Sequence, residues 1–313
     1  MSYSQLTQTQ RYQIYVLKKT GCNQTQIAEN VGVDKSTISR ELRRNKGHRG
    51  YRPKQAQRKA EARRNKAHCR ITHRQWALVE GLVNLKWSPE EISGWLQKYF
   101  KIQISHEWVY QYIWKNKRQG GQLYEHLRCQ KRYRKRSQTG ENRGKIPNQT
   151  SIEERPAIVD TRERLGDWEG DTIVGKGKQG AIVTLVDRKS RLLKMGLVSR
   201  RTKDAVKEMV IDLLKGYPVH TITFDNGKEF TEHEEIAQAL EADIYFAHPY
   251  SSWERGTNEN TNKLIRQYFP KGTNFRELSN FDVQLAENQL NFRPRKCLAF
   301  TQPMVFLKNH CCT

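Results

Sequence analysis

Between residues 168 and 249 the chain offers five short apolar runs, "WEGDTIVG", "GAIVTLVD", "LLKMGLVS", "HTITFD" and "DIYFAHP", and the spacing between them changes part-way along. The first three lie close enough to be joined by hairpins. The stretch "TKDAVKEMVIDLLKG" then separates the third run from the fourth, and "HEEIAQAL" separates the fourth from the fifth. Both carry the periodicity of an amphipathic helix. Three meandering strands followed by a helix-alternating pair predict an α/β domain, a mixed five-stranded sheet with helices packed against it.

Two carboxylates sit where such a sheet should be apolar. Asp171 interrupts the first run at its centre, between Trp168 and Thr172-Ile173-Val174, and Asp225 ends the fourth run in "TFDNGKEF". A charge in such a place costs several kcal/mol unless it is paired or bound to a cation. If the first and fourth strands are neighbours, their ends bring both acids to one edge of the sheet, where like charges repel. A hard divalent ion removes that penalty, and carboxylate oxygens are the ligands Mg2+ and Mn2+ prefer. A third ligand comes from "SSWERGTNENTNKLIRQYF", a loop running into a helix, with Glu259 near the helix N-terminus and 33 residues lying between it and Asp225. Lys263 and Arg266 follow four and seven residues later on the same face. A carboxylate, an ammonium and a guanidinium on one stripe suit phosphodiester chemistry, the acid as metal ligand and the two bases as clamps on the DNA backbone.

Other candidates are weaker. Period-two alternation turns Glu169 to the face of Asp171, which makes it a reserve ligand, and Glu229 lies beside Asp225. Asp187 ends the second strand and is a candidate fourth acid, though pairing with Arg188 or Arg191 is its expected role. His248 in "AHPYSSW" is either a group approaching the scissile phosphate or a structural loop histidine. "GKGKQG" from Gly175 to Gly180 satisfies a dinucleotide-binding pattern, but a strand follows it where that motif requires a helix, so a hairpin turn is expected.

The N-terminal part is of another kind. Residues 7–45 read as three short helices. In the second, Ile27, Ala28 and Val31 share a face; Gly32 and Val33 make a turn; Asp34 can cap "KSTISRELRRN", whose inward face is Ile38 and Leu42. That is a helix-turn-helix pattern. Lys35, Ser36, Thr37, Ser39 and Arg40 are placed to reach base edges, with Arg43 and Arg44 at phosphates. A weaker second copy spans roughly residues 73–117, with a capping box at Ser88 and Glu91, Pro89 at the first helical position, and Ser105 capping "HEWVYQYIWKNKR". Val109, Ile113 and Trp108 are expected to form its apolar face, and Trp95, Tyr112 and Trp114 to be core rather than base-stacking groups. A tract rich in Arg, Lys, Gly, Asn and Pro follows and reads as a basic linker.

Charge separates these regions. The chain of 313 residues carries a formal net charge of +23. Residues 1–150 hold 32 basic and 10 acidic residues, or +22; the remainder hold 24 and 23, or +1. The excess marks the N-terminal half as the binder of a polyanion. No apolar run approaches the ~18 residues of a membrane span, and the N-terminus lacks the apolar core of a signal peptide, so a cytoplasmic, nucleoid-associated protein with no membrane partner is expected. The six cysteines form no C-x-x-C pair, which points to reduced thiols rather than a zinc site or a disulfide framework.

Taken together, "WEGDTIVG", "TFDNGKEF" and "ERGTNENTNKLIRQYFP", with "NFRPRKCLAF" downstream, resemble the DDE transposase and retroviral-integrase superfamily, and most closely the bacterial transposases of insertion-sequence family thirty. The resemblance covers nearly the whole chain and implies a ribonuclease H-like core. It implies that Asp171, Asp225 and Glu259 are a catalytic, metal-binding triad for two Mg2+ ions, with Mn2+ as a possible substitute, and that Arg266 contacts the DNA backbone. Gln302 and Val305 depart from the family's usual Thr and Glu, which bears on local packing and not on the triad. The expected organisation is a helix-turn-helix domain over residues 1–50, a basic segment with a second helix-turn-helix over 51–118, a basic linker over 119–160, and an integrase-type catalytic core with a C-terminal helix over 161–313. The implied function is binding of an element's terminal inverted repeats, then metal-dependent strand cleavage and transfer into target DNA, by at least a dimer. Two rivals remain at this point: a transcriptional repressor with a degenerate C-terminal domain, and a ribonuclease H-type nuclease that cannot join strands.

Overall fold

The computed structural model describes residues 5–68, 71–128, 146–249 and 251–311. The chain divides into two compact units, Met1–Trp76 and Ala77–Thr313.

In the first unit, α1 (Gln8–Lys19), α2 (Gln24–Val31) and α3 (Lys35–Asn45) are followed by α4 (Pro53–His68). Side-chain caps start the first three helices. Thr7 and Asn23 form capping boxes, and Asp34 accepts from the backbone N–H of Ser36. Gly32 ends α2 at φ +70°, the left-handed conformation that lets the chain turn sharply into α3. Ile14, Ile27, Ala28, Val31, Ile38 and Leu42 form the core, which Tyr51 and Ala56 complete from beyond residue 50. Arg11 and Glu41 make a buried ion pair of 2.9 Å inside it, and the Tyr51 hydroxyl donates to Glu41 at 3.0 Å.

The second unit contains most of α5 (His73–Asn84), then α6 (Pro89–Phe100) and α7 (His106–Arg118). Ser88 and Ser105 cap α6 and α7 as their sequences suggest. Val109 and Ile113 are buried, but Trp108 and Trp114 are 43% and 47% exposed, against the expectation that they are core. Each lies one residue, or about 100°, from a buried position of α7, enough to turn a side chain off the packed face. Trp95 is half-buried and packs edge-on against Trp87 at 5.2 Å. Tyr112 is half-buried and donates to Glu80. The expected linker lies outside the described residues from 129 to 145; around it are short 3-10 turns and the single helical turn α8 (Ile158–Thr161).

A five-stranded sheet follows: β1 (Asp167–Val174), β2 (Ala181–Asp187), β3 (Leu193–Val198), β4 (Thr221–Phe224) and β5 (Asp243–Phe246), in the order β3-β2-β1-β4-β5. The first three strands are antiparallel neighbours, and β4 and β5 join β1 in parallel. The Gly175 to Gly180 segment is the tight β1–β2 connection, with no helix after it. Alternation sends Trp168, Val183, Leu185, Ile222 and Phe224 to one face, under α9 (Lys203–Leu214) and α10 (His233–Leu240). It sends Ile173, Ile182, Val186 and Met195 to the other, under α11 (Gly256–Ile265) and α12 (Asn280–Asn291). The terminal α13 (Pro303–Cys311) packs Met304 and Leu307 against the first core, so the segment bearing Gln302 and Val305 folds as a docked helix.

Candidate active site

Register brings the two aspartates together. The parallel ladder between β1 and β4 pairs Asp167 with Thr221 and Glu169 with Thr223. Two residues further along each strand come Asp171 and Asp225, so both carboxylates leave the sheet at the same level, on the face covered by α11. On the opposite face Gly170 makes room for β4's Phe224: a Cβ there would meet Phe224 Cε1 at 2.3 Å.

Each aspartate is fixed from its own backbone. Asp171 Oδ1 accepts from the Thr172 N–H at 2.8 Å, and Asp225 Oδ1 from the Gly227 N–H at 3.1 Å. The opposite oxygens face one cation. Arg255, just before α11, places Nη1 3.8 Å from Asp171 Oδ2 and Nη2 3.6 Å from Asp225 Oδ2, and donates to the Gly170 carbonyl at 3.0 Å. From α11, Asn262 donates its amide to Asp171 Oδ2 at 2.8 Å. Burial pushes the Asp171 carboxyl up to about 6; Arg255 opposes that rise, while the like charges of Asp225 and Glu229 add to it. The site therefore draws positive charge to itself.

Glu259 is half-exposed on α11 and ion-paired to Lys263 at 2.6 Å. Among the described residues, no three acidic, histidine or cysteine side chains are grouped as a ready metal site. Arg266 follows α11 and donates to the carbonyls of Val174 and Phe269, both at 3.3 Å, so it clamps the end of the helix to β1. On α3, Lys35, Ser36, Ser39, Arg40, Arg43 and Arg44 are exposed and Thr37 is half-buried, with Ile38 and Leu42 turned inward.

Several sequence expectations are corrected. Asp187 pairs with neither Arg188 nor Arg191: its Oδ1 takes the N–H and hydroxyl of Ser190, both at 2.6 Å, and its Oδ2 takes the Gly166 N–H at 2.8 Å. It ties a turn. Glu169 is no reserve ligand, because one oxygen holds Arg188 at 2.7 Å and the other accepts the Asn258 N–H at 2.8 Å. Its carboxylate anchors α11 to β1. Glu229 accepts from the Thr172 hydroxyl at 2.7 Å and faces Arg201 at 3.1 Å. His248 is held by Glu254 at 2.8 Å and faces Glu153 at 3.4 Å, which raises its pKa.

Arg255 and Asn262 were missed by sequence reading. A signal existed, since Arg255, Asn258 and Asn262 recur at three- and four-residue spacing, which is one face of a helix.

Residues 2–45 match the helix-turn-helix domain family HTH_38. Over 305 residues the chain is 44% identical to the transposase for insertion sequence element IS4351 of Bacteroides fragilis, covering 95% of this chain and 94% of the relative. It is 37% identical over 298 residues to transposase InsI for insertion sequence element IS30A of Escherichia coli K12, covering 88% and 76%. The chain belongs to the IS30-like family of insertion-sequence transposases. The transposase is thus a DNA-binding polynucleotidyl transferase that catalyses transposition, and the repressor and simple-nuclease readings fall away. Among solved structures it is similar to the catalytic core domain of BIV integrase, with 22% identity and a TM-score of 0.38 over 46% of this chain and 95% of that one. Among the described residues no helix is long and apolar enough to cross a membrane.

Proposed function

We propose that Asp171, Asp225 and Glu259 hold two Mg2+ ions, for which Mn2+ can substitute, and that strand cleavage and strand transfer occur there. The observation that carries this reading is the β1–β4 register, which sets two carboxylates side by side with a single guanidinium facing both. The donor set suits a hard cation: carboxylate oxygens throughout, one of them buried so that its charge is costly until a cation meets it. Glu259 is reachable. It lies on α11 three residues before Asn262 and four after Arg255, which precedes the helix, and its bond to Lys263 is an exposed i,i+4 pair worth about 0.5 kcal/mol.

Cations held there supply the acid that activates a water or a DNA 3′-hydroxyl and stabilises the leaving oxygen. The protein does the positioning. Thr172 N–H and Asn262 orient Asp171, Gly227 N–H orients Asp225, and Arg255 moves off the carboxylates to the incoming strand. In this reading α3 reads the terminal inverted repeats through Lys35, Ser36, Thr37, Ser39 and Arg40, with Arg43 and Arg44 on phosphates. Lys263 contacts the backbone near the cut, and Arg266 does so once released from its carbonyls. Joining two element ends to target DNA calls for at least a dimer, acting in the cytoplasm on nucleoid DNA.

The test compares wild type with Asp171→Asn, Asp225→Asn and Glu259→Gln on element-end duplexes with Mg2+, for cleavage and for strand transfer from pre-cleaved ends. Both activities should fall at least 100-fold in every variant while duplex binding persists. Cleavage surviving in any of the three removes that residue from the triad.

A further inference from the structure

On the side of α11 away from Asp171 lies a cavity of about 230 Å3, walled by Arg162, Arg191 and Arg295 together with Thr257, Asn260 and Thr261. A second cavity of about 250 Å3 shares Arg162 and Arg191 with it and adds Arg188 and Lys189. Arg188 is neutralised by Glu169 and Asp160. Arg162, Arg191 and Arg295 make no ion pair among the described residues; Arg191 donates to the Thr257 hydroxyl at 2.6 Å and Arg295 to the Leu290 carbonyl at 3.0 Å.

Unpaired guanidiniums do not crowd one hollow without cost. Arg162 is exposed and Arg191 half-buried; partial burial lowers the pKa of Arg162, the neighbouring charges of Arg191 and Arg188 lower it further, and Glu169 opposes them. Arg295 is pulled down to about 10, again chiefly by burial. The backbone tells the same story: Arg162 and Arg191 sit at φ +57° and +62°, where glycine or asparagine is at ease and a long side chain is not. Two such positions each carry a cation toward one cavity, which suits a ligand of opposite charge.

We propose that this cavity is a phosphate-binding site, taking one backbone phosphodiester of a DNA strand on the face of α11 opposite the two aspartates. Guanidiniums provide paired donors matched to phosphate oxygens, and the Thr257 hydroxyl and the Asn260 amide add neutral ones, while the Thr261 hydroxyl is spent on the Thr257 carbonyl at 2.9 Å. The volume admits a phosphate with its flanking sugar but no stacked base pair. Because α11 separates cavity and aspartates by one helix diameter, roughly 10 Å, a phosphate anchored here holds a strand at a fixed offset from the reacting bond. The inference rests on the chain being a DNA-acting transposase, not on the triad assignment.

Cys297, an exposed free thiol, lines both cavities and reports occupancy. The full chain carrying Asp171→Asn, which keeps any cleavage out of the readout, is treated with N-ethylmaleimide, and alkylation of Cys297 is followed by peptide mass spectrometry. The additions are duplex DNA, inorganic phosphate, or chloride at matched ionic strength. Duplex at micromolar concentration should slow alkylation at least fivefold, phosphate should do so only at millimolar concentration, and chloride not at all. In Arg162→Asn/Arg191→Asn, whose asparagines suit left-handed backbone, the protein should melt within a few degrees of its parent while duplex protection is lost. A lysine pair at the same positions should keep part of it, and this arm carries the test if the asparagine pair fails to fold. Absence of protection by duplex, protection unchanged in both double variants, or protection by phosphate at lower concentration than by duplex would each overturn the proposal.

Discussion

The guanidinium of Arg255 lies 3.6 Å from the carboxylate of Asp225, and the same group lies 3.8 Å from Asp171. One monovalent cation thus spans the two acids that the β1–β4 register juxtaposes, and its Nε is buried without a partner among the described residues. The guanidinium partly offsets a repulsion that a divalent ion would offset more fully.

Removing Arg255 should therefore expose the repulsion. Arg255→Gln is expected to destabilise the metal-free protein by about 1–3 kcal/mol, below the usual cost of breaking a buried pair because both aspartates keep some contact with water. Mg2+ should raise the melting temperature of the variant more than that of wild type. Equal responses of the two proteins to Mg2+, measured by thermal melts, would show that Arg255 does not stand in for the cation.

Asp171 titrates near 6 in the folded chain against 3.8 when unfolded, burial being the main cause. A raised carboxyl pKa means that the folded state binds the proton more tightly. That contribution is complete below 3.8 and is lost as pH rises through about 6, leaving a buried charge as a standing cost. Asp171→Asn should accordingly make the metal-free protein more stable at pH 7.5, on the order of 2 kcal/mol. The gain should shrink toward zero as the pH of the melt is lowered to 4.

Glu169 points to the same sheet face two residues earlier, and the opposite result is expected. It is fully buried, with Arg188 and the Asn258 N–H on its two oxygens. Glu169→Ala leaves the buried Arg188 guanidinium with Asp160 as its remaining ion-pair partner among the described residues and unties the start of α11, which should cost about 3 kcal/mol. Thermal melts of the two variants side by side separate an acid kept for chemistry from one kept for structure.

Gly170→Ala should destabilise by about 1–3 kcal/mol, since its methyl group meets Phe224, itself stacked on Phe230 at 4.1 Å and unable to retreat. Gly170→Ala/Phe224→Leu should recover part of the loss. Failure of the double variant to recover any stability would place the strain elsewhere in β1.

Much of the fold is legible in short windows of sequence. The runs ending at Val174, Asp187 and Val198 are short, largely apolar and split by turn residues, so β1 to β3 and their hairpins follow from local chemistry. The caps at Asp34, Ser88 and Ser105 announce helix starts in the same way. Asp171 and Asp225 were visible because a carboxylate in an apolar strand violates the local pattern. Glu259 stood out only through its spacing to Lys263 and Arg266, and the structure turns it toward Lys263.

By itself, then, the sequence determined which segments become strands and helices, which half carries the positive charge, and which acids are anomalous, because propensity, periodicity and capping act over a few neighbouring residues. Only the tertiary structure decided what those acids touch. The rotation of α11 about its own axis aims Arg255, at its start, and Asn262 at Asp171, partners 85 and 91 residues or so from β1 in the chain, and brings the Asn258 N–H onto Glu169. The same kind of rotation in α7 leaves Trp108 and Trp114 exposed. A helix's orientation is set by the packing of its whole apolar face, a sum over many small contacts, and no window of one segment contains it.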